Sequence, residues 1–314
     1  MYCVDCLLLG YTKDILTFAF HLFVTMLSAI FKKVVLTASI LFVAYFADAQ
    51  TVSVPDNTHP EWSAPYQPFR IAGNLYYVGT YDLACYLITT SAGNILINTG
   101  LPASADMIIK NIETLGFRPA DTRILLTTQA HYDHMSGMAA IQRLTGAKMM
   151  VDSGDSSVVA DGGKSDYALT TTFEPVKIDR LLHNGDTIRL GDARLVMLHH
   201  PGHTRGSCSF LFDVRDEQRS YRVLIANMPT IVTERKFSEI PAYPGIASDY
   251  AYTLREMKKL TFDIWLASHA SQFELHKKHT PGDKYNPAAF MDKAGYDKEL
   301  KDLQRQFSEK MRKK

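Results

Sequence analysis

The chain has 314 residues, 46% apolar and 21% charged, with a formal net charge of +1. That balance excludes a disordered or fibrous chain and supplies enough apolar material for a sizeable core. The near-zero charge excludes nucleic acid or another polyanion as the main partner.

The first fifty residues differ from the rest. Lys32-Lys33 precede an apolar run at 34–46, and Ala47-Asp48-Ala49 follows. A positive n-region, a short apolar h-region and a small-x-small site mark a secretory signal. Residues 1–49 therefore read as a leader, with a signal peptide over about 26–49 starting at Met26. The mature chain, 50–314, begins near Gln50 and is one exported, periplasmic domain, and residues 1–25 are an artefact of the reading frame. The alternative is a membrane anchor through the apolar stretch 15–31. His21 interrupts that stretch, and neither run alone reaches the ~20 residues a span needs. Cys3 and Cys6 leave with the leader. Cys85 and Cys208 remain in a compartment where a disulfide is permitted. Both lie in strand-like apolar runs and read as buried free thiols.

After a polar, proline-containing lead-in at 51–66, the patterns predict strands at 74–78, 85–90 and 94–98. A helix follows at 103–115, stopped by Gly116. Residues 123–128 form a short strand, 135–144 a helix stopped by Gly146, and 148–151 a strand. The polar region 153–180 reads as a loop with one short helix. Strands follow at 187–190, 193–198, 207–213 and 222–225. A helix at 249–260, a strand at 264–267 and a charged helical tail at 287–310 complete the chain. Strands and helices in two comparable halves predict two packed sheets with helices outside, an α/β sandwich.

The stretch that carries chemistry is Thr128-Gln129-Ala130-His131-Tyr132-Asp133-His134. It lies between a predicted strand and a predicted helix, where open α/β sheets carry their sites. Three potential metal ligands fall within four residues, and a loop can turn His131, Asp133 and His134 toward one centre. Imidazole and carboxylate suit zinc. Alone, this could be a polar loop whose histidines cap a helix. His203, in the turn His200-Pro201-Gly202-His203-Thr204-Arg205-Gly206, and His269, after the strand at 264–267, enlarge the set to a size suited to two adjacent metal ions. His199 and His200 read as packing or supporting groups beside that turn. His59, His183, His276 and His279 lie in polar surroundings and read as surface.

The pattern H-x-H-x-D-H with a distant Gly-His turn and a later strand-end histidine resembles the metallo-β-lactamase superfamily over about residues 70–275. The His134 after Asp133 and the Pro-Gly-His-Thr-x-Gly turn resemble its subclass B3. Gln129 stands where that family usually has its first histidine, and the surrounding text resembles the glutamine-containing GOB-type branch. The resemblance implies a four-layer αβ/βα sandwich with two zinc sites. Carried over by position, Gln129, His131 and His203 form the first site, and Asp133, His134 and His269 the second. A glutamine amide is a weaker zinc donor than imidazole, so the first site is expected to bind less tightly and the chain to work with one or two Zn2+. Asp133, a ligand beside the attacking water, is the catalytic residue.

The implied activity is hydrolysis of β-lactams, including carbapenems, by a monomer without stable membrane association. The mature sequence has no Gly-x-Ser-x-Gly elbow or Ser-x-x-Lys pair to suggest a covalent route. Relatives with the same metal pattern cleave other substrates, and many carry a bridging aspartate. The corresponding segment here, 224–230, contains no carboxylate, which points to the β-lactamase branch. Met228 falls where many subclass B3 enzymes have a serine that helps hold the substrate carboxylate, so Thr230 is the expected substitute. The loop 161–167, with mobile glycines and Lys164, and the turn bearing Tyr81 and Asp82 are expected at the pocket rim. The alternatives are another exported hydrolase of this fold, such as a lactonase, and a non-enzymatic zinc-binding protein. A structural zinc site is normally closed by four protein ligands.

Overall fold

A computed structural model of the chain describes residues 59–312 and, nearer the N-terminus, residues 23, 25–28 and 31–33. The chain divides into two units, Met1–Thr51 and Val52–Lys314. The described residues of the first are helical and exposed. No described helix is long and apolar enough to cross a membrane. The expected cleavage point at 47–49 and the start at Gln50 lie outside the described residues.

The second unit holds two sheets. The first has the order β1-β2-β3-β4-β5-β6-β7, with β1 (Phe69–Ala72), β2 (Leu75–Tyr77), β3 (Tyr86–Thr90), β4 (Gly93–Ile97), β5 (Thr122–Leu126), β6 (Lys148–Asp152) and β7 (Ile178–Leu182). Neighbours are antiparallel up to β4 and parallel from there on. The second sheet runs β12-β11-β10-β9-β8, from β8 (Thr187–Leu190), β9 (Ala193–His199), β10 (Cys208–Arg215), β11 (Ser220–Ala226) and β12 (Ile264–Ala267). Only β11 and β12 pair in parallel there.

Alternation along each strand assigns its side chains to layers. In β4, Ile95 and Ile97 enter the core between the sheets, while Leu96 faces the helices outside. Tyr86 and Ile88 against Leu87 in β3, and Ile124 and Leu126 against Leu125 in β5, repeat the rule. The outer face of the first sheet is covered by α1 (Ser104–Thr114), α3 (Met138–Thr145) and α4 (Ser156–Asp161), through Ile108, Ile112, Met138, Ile141, Val158 and Val159. The second sheet is covered by α5 (Ile246–Met257) and, after the short α6 (Leu275–Lys278), by α7 (Lys293–Arg312), through Leu254, Met257, Tyr296, Leu300 and Leu303. The layers are helix, sheet, sheet, helix, the expected αβ/βα sandwich.

The differences from the expected elements have local causes. The helix expected at 135–144 is two pieces, α2 (Tyr132–Met135) and α3. Between them, a Cβ on Gly137 would stand 2.6 Å from the Thr99 carbonyl oxygen, so the backbones meet where the helix breaks. The tail divides into a 3-10 turn, Pro287–Phe290, and α7, restarted by Asp292, whose Oδ1 accepts from Gly295 N–H at 2.8 Å. Strands β1 and β7 were not expected. Cys85 and Cys208 are buried free thiols, as read. His279 is a correction: it is 8% exposed, stacked on Phe69 at 3.6 Å between ring centres and hydrogen bonded to Tyr66 Oη at 3.0 Å. Its flanking lysines and threonine disguised a core position.

His200, just beyond β9, is 2% exposed, with Nδ1 2.7 Å from Ser209 Oγ. Burial, and next the neighbouring His199, push its pKa down to about 3. A histidine in the unfolded chain titrates near about 6.5. As pH falls from about 6.5 toward 3, the unfolded state binds a proton that the folded state refuses, so stability is lost over that window. In His200→Gln the urea midpoint should fall less than in the wild type between about pH 7 and about pH 4. Equal falls would contradict this.

Candidate metal centre

The site lies where the two sheets meet at one edge. Past β5, the Asn98 side chain fixes the chain direction: its Oδ1 accepts from Thr128 N–H at 2.9 Å. His131 is then the extended residue ahead of α2, so Asp133 and His134 project from a single helical turn. The turn 200–207 joins β9 to β10 and carries His203. Gly202 has φ +129, and a Cβ there would stand 2.9 Å from the Tyr250 ring, so only glycine fits. His269 follows β12 and forms a bridge with Leu83. Thr128 Oγ1 and Ser268 Oγ, 2.8 Å apart, tie the end of the first sheet to the end of the second.

One carboxylate holds the two histidine-bearing loops together. Asp155, completely buried, accepts from Ala130 N–H (2.9 Å) and Thr204 Oγ1 (2.7 Å) on Oδ2 and from Gly206 N–H (2.7 Å) on Oδ1. Burial drives its pKa up to about 6, against the lowering effect of the Thr204 and Gly206 hydrogen bonds.

Five of the six expected ligand side chains gather into two groups. Ligand atoms of Asp133, His134 and His269 all lie within 4.8 Å of one another. Asp133 Oδ2 is 3.1 Å from His134 Nε2 and 3.3 Å from His269 Nε2. Burial opposes the charge on Asp133, but His134 and His269 outweigh it and hold the carboxyl well below its usual range. Burial likewise opposes a proton on His269, yet Asp133 and Asp82 raise it to about 9. That imidazolium does for Asp133 what a metal cation would. In the other group the His131 and His203 ring centres are 4.7 Å apart. His203 Nδ1 donates to the Thr230 carbonyl at 2.8 Å, which leaves a lone pair on Nε2. Burial, and then His131, push its pKa down to about 3, so it is a neutral donor.

Five polar atoms of these residues are buried without a hydrogen bond: Gln129 Oε1, His131 Nε2, both ring nitrogens of His134 and His203 Nε2. His131 Nε2 lies 3.1 Å from Asp166 Oδ2, out of line for a full hydrogen bond. Buried polar groups are nearly always satisfied, so the exceptions other than His131 Nε2, which is turned toward Asp166, fit a zinc centre through their nitrogen and oxygen donors.

The remaining expected contacts are placed as follows. The Thr230 hydroxyl is 3.0 Å from His203 Nδ1, and its carbonyl accepts from both His203 and Tyr250, so Thr230 orients a histidine. Met228 is packed in the core. Lys164 is exposed. Tyr81 is 41% exposed and stacked on His276 at 3.7 Å. The loop glycines serve packing rather than motion: a Cβ on Gly162 would meet the Phe173 carbonyl oxygen at 2.3 Å. Asp82 proves to be a support for His269. Its Oδ2 lies 3.1 Å from His269 Nδ1 and accepts from Trp62 Nε1 at 3.2 Å, and its Oδ1 accepts from Ser271 N–H at 2.8 Å. The Trp62 ring centre is 5.6 Å from that of His269. Asp155 and Asp166 were not singled out from sequence, because an aspartate in a polar loop carries no local signal of what it will touch.

Residues 80–216 match the metallo-β-lactamase superfamily. The class B3 di-zinc metallo-β-lactamase LRA-12 from an Alaskan soil metagenome is 66% identical, with a TM-score of 0.81 over 82% of this chain and 99% of that one. The metallo-β-lactamase GOB-18 from Elizabethkingia meningoseptica is 56% identical, with a TM-score of 0.84 over 85% and 100%. An N-acyl homoserine lactonase from a Bacillus species is 25% identical over 204 residues, which is 56% of this chain and 74% of that protein. The chain belongs to the metallo-β-lactamase superfamily. Within it, the neighbours at 56–66% identity are class B3 enzymes, one of the GOB type, and the lactonase is distant.

Asp155→Asn puts an amide NH2 where one carboxylate oxygen accepts, facing a backbone N–H. It should cost at least about 2 kcal/mol in urea unfolding and lower zinc retention during gel filtration. A variant with wild-type stability and metal content would show that the loops hold themselves.

Proposed function

We propose that the chain is an exported zinc β-lactamase that opens the ring of penicillins, cephalosporins and carbapenems and so confers resistance to them. The observation that carries this is the cluster of Asp133, His134 and His269 together with the buried, unpartnered donor atoms of Gln129, His134 and His203, in a chain 66% identical to a class B3 enzyme. Gln129, His131 and His203 would hold the first zinc, and Asp133, His134 and His269 the second. Zinc, when bound, supplies Lewis acidity: it provides hydroxide near neutral pH and stabilises charge on the carbonyl oxygen and the departing nitrogen.

The chain's own contribution centres on Asp133. Both nearby histidines meet its Oδ2, which leaves Oδ1 to orient a water and accept its proton. Attack on the carbonyl carbon breaks the C–N bond, and the nitrogen takes up the proton that Asp133 removed from water. Lys164 and Tyr81, both exposed, are the proposed rim contacts for an anionic substrate. Residues 1–49 are proposed as the leader, removed before a monomeric domain, 50–314, acts in the periplasm.

Zinc-loaded protein should hydrolyse a chromogenic cephalosporin and a carbapenem, and chelator should abolish both activities. Asp133→Asn should retain zinc and lose at least about a hundredfold in kcat. Activity on acyl homoserine lactones but not on β-lactams would move the assignment to the lactonase reading. Bound zinc with no hydrolysis of either class would favour a binding protein.

The glutamine donor makes the first site the weaker of the two. Zinc titration against a competing indicator should resolve two affinities, and Gln129→His should tighten the weaker by about tenfold or more. Equal wild-type affinities would refute the inequality.

A further inference from the structure

We infer that Asp166 is a positioning residue for the first metal site: it sets which nitrogen of His131 faces the metal and strengthens that nitrogen as a donor. The inference rests on the reading that Gln129, His131 and His203 hold a zinc.

Asp166 lies in the loop after α4 and is nearly as buried as the histidine it faces, with 4% of its side chain exposed against 2% for His131. Its two oxygens have separate tasks. Oδ1 accepts from the backbone N–H groups of Ala168 (2.7 Å) and Leu169 (3.0 Å) and closes a turn. Oδ2 stands 3.1 Å from His131 Nε2. The next residue reaches the partner histidine's loop: Tyr167 Oη donates to the carbonyls of Gly202 (3.1 Å) and His203 (2.9 Å). The loop itself is closed down by Phe173, which is buried and whose N–H bonds the Gly162 carbonyl at 2.9 Å. A rigid loop thus supports both imidazoles of the first group.

A carboxylate can only accept, so it calls for a hydrogen on Nε2 and leaves the lone pair on Nδ1. It also makes that ring a better donor, and losing such a partner typically costs about 10–100-fold in metal affinity. His203 has a neutral carbonyl in the equivalent place, and Gln129 is a neutral amide. Asp166 therefore brings negative charge to the one metal site here whose own ligands, by this reading, are all neutral.

Asp166→Asn separates this role from turn closure. The Asn carbonyl can take over Oδ1 and keep both backbone bonds. Its NH2 then faces His131 Nε2, donor against donor. His131 can escape only by moving its hydrogen to Nδ1, which removes the lone pair aimed at the metal. A residue that merely closes a turn would tolerate this change, and one that orients His131 would not.

The test is zinc titration of wild type, Asp166→Asn and His131→Ala against a competing indicator, with thermal unfolding of each metal-free protein. The expected result is two equivalents in the wild type. Asp166→Asn should keep its melting temperature and the tighter site while the weaker site loses about 10–100-fold. A folded Asp166→Asn with both affinities unchanged overturns the inference and leaves the two-site reading intact. A wild type that binds one equivalent, insensitive to His131→Ala, removes the first site and the inference with it. If Asp166→Asn fails to fold, nitrogen-15 NMR of wild-type protein loaded with cadmium-113 decides. Coupling of the metal to His131 Nδ1 supports the inference, and coupling to Nε2 overturns it.

Discussion

A single buried negative charge connects the parts of this protein that chemistry requires to be adjacent. Asp155 lies beneath two loops that belong to different sheets, and its three hydrogen bonds join Ala130 to Thr204 and Gly206. Sheet packing alone would bring the loops near each other without fixing their separation. The flanking glycines show how tight the join is: a Cβ on Gly154 would stand 2.4 Å from the Arg205 carbonyl oxygen, and one on Gly206 would stand 2.3 Å from Asp155 N. With that join fixed, His131 and His203 have no freedom to drift apart.

The histidines are then aimed from outside. His131 faces Asp166, His203 faces the Thr230 carbonyl and His269 faces Asp82. Each contact sets one ring nitrogen against an acceptor, an arrangement that orients an imidazole. On His203 the opposite nitrogen, Nε2, is buried and unsatisfied, and such an atom costs about 1–3 kcal/mol when nothing meets it. The fold therefore carries a local cost at such atoms, and a cation that met them would couple its own binding to folding stability.

Much of this was legible in the sequence because its signals are local. The stretch 128–134 contains its candidate donors close together in the chain, and His203 and His269 stand at the ends of readable strands. The bounds of β8 and β12 were readable directly, and those of β3, β4 and β9 within a residue, because each is a short apolar or alternating run closed by turn residues. The carboxylates behind the histidines were not legible as such. Asp82 is separated from His269 by 187 positions, and Asp155 and Asp166 sit in a polar region that reads as an ordinary loop. Packing chose them, and packing has no short-range signature. The same limit hid His279 among polar neighbours and let β7, which pairs only at the sheet edge, pass as loop.

The contact between Trp62 and His269 has an optical consequence. The chain contains two tryptophans. Trp265 is sealed in the core at 1% exposure beside Phe273 and Tyr296. Trp62 is partly exposed, tilted toward the His269 ring and bonded to the aspartate that steers it. Indole emission is quenched by a nearby protonated imidazole and shifts with local charge. The protein thus carries an intrinsic fluorophore beside His269, against a nearly constant background from the other, and events there can be followed in real time without a label.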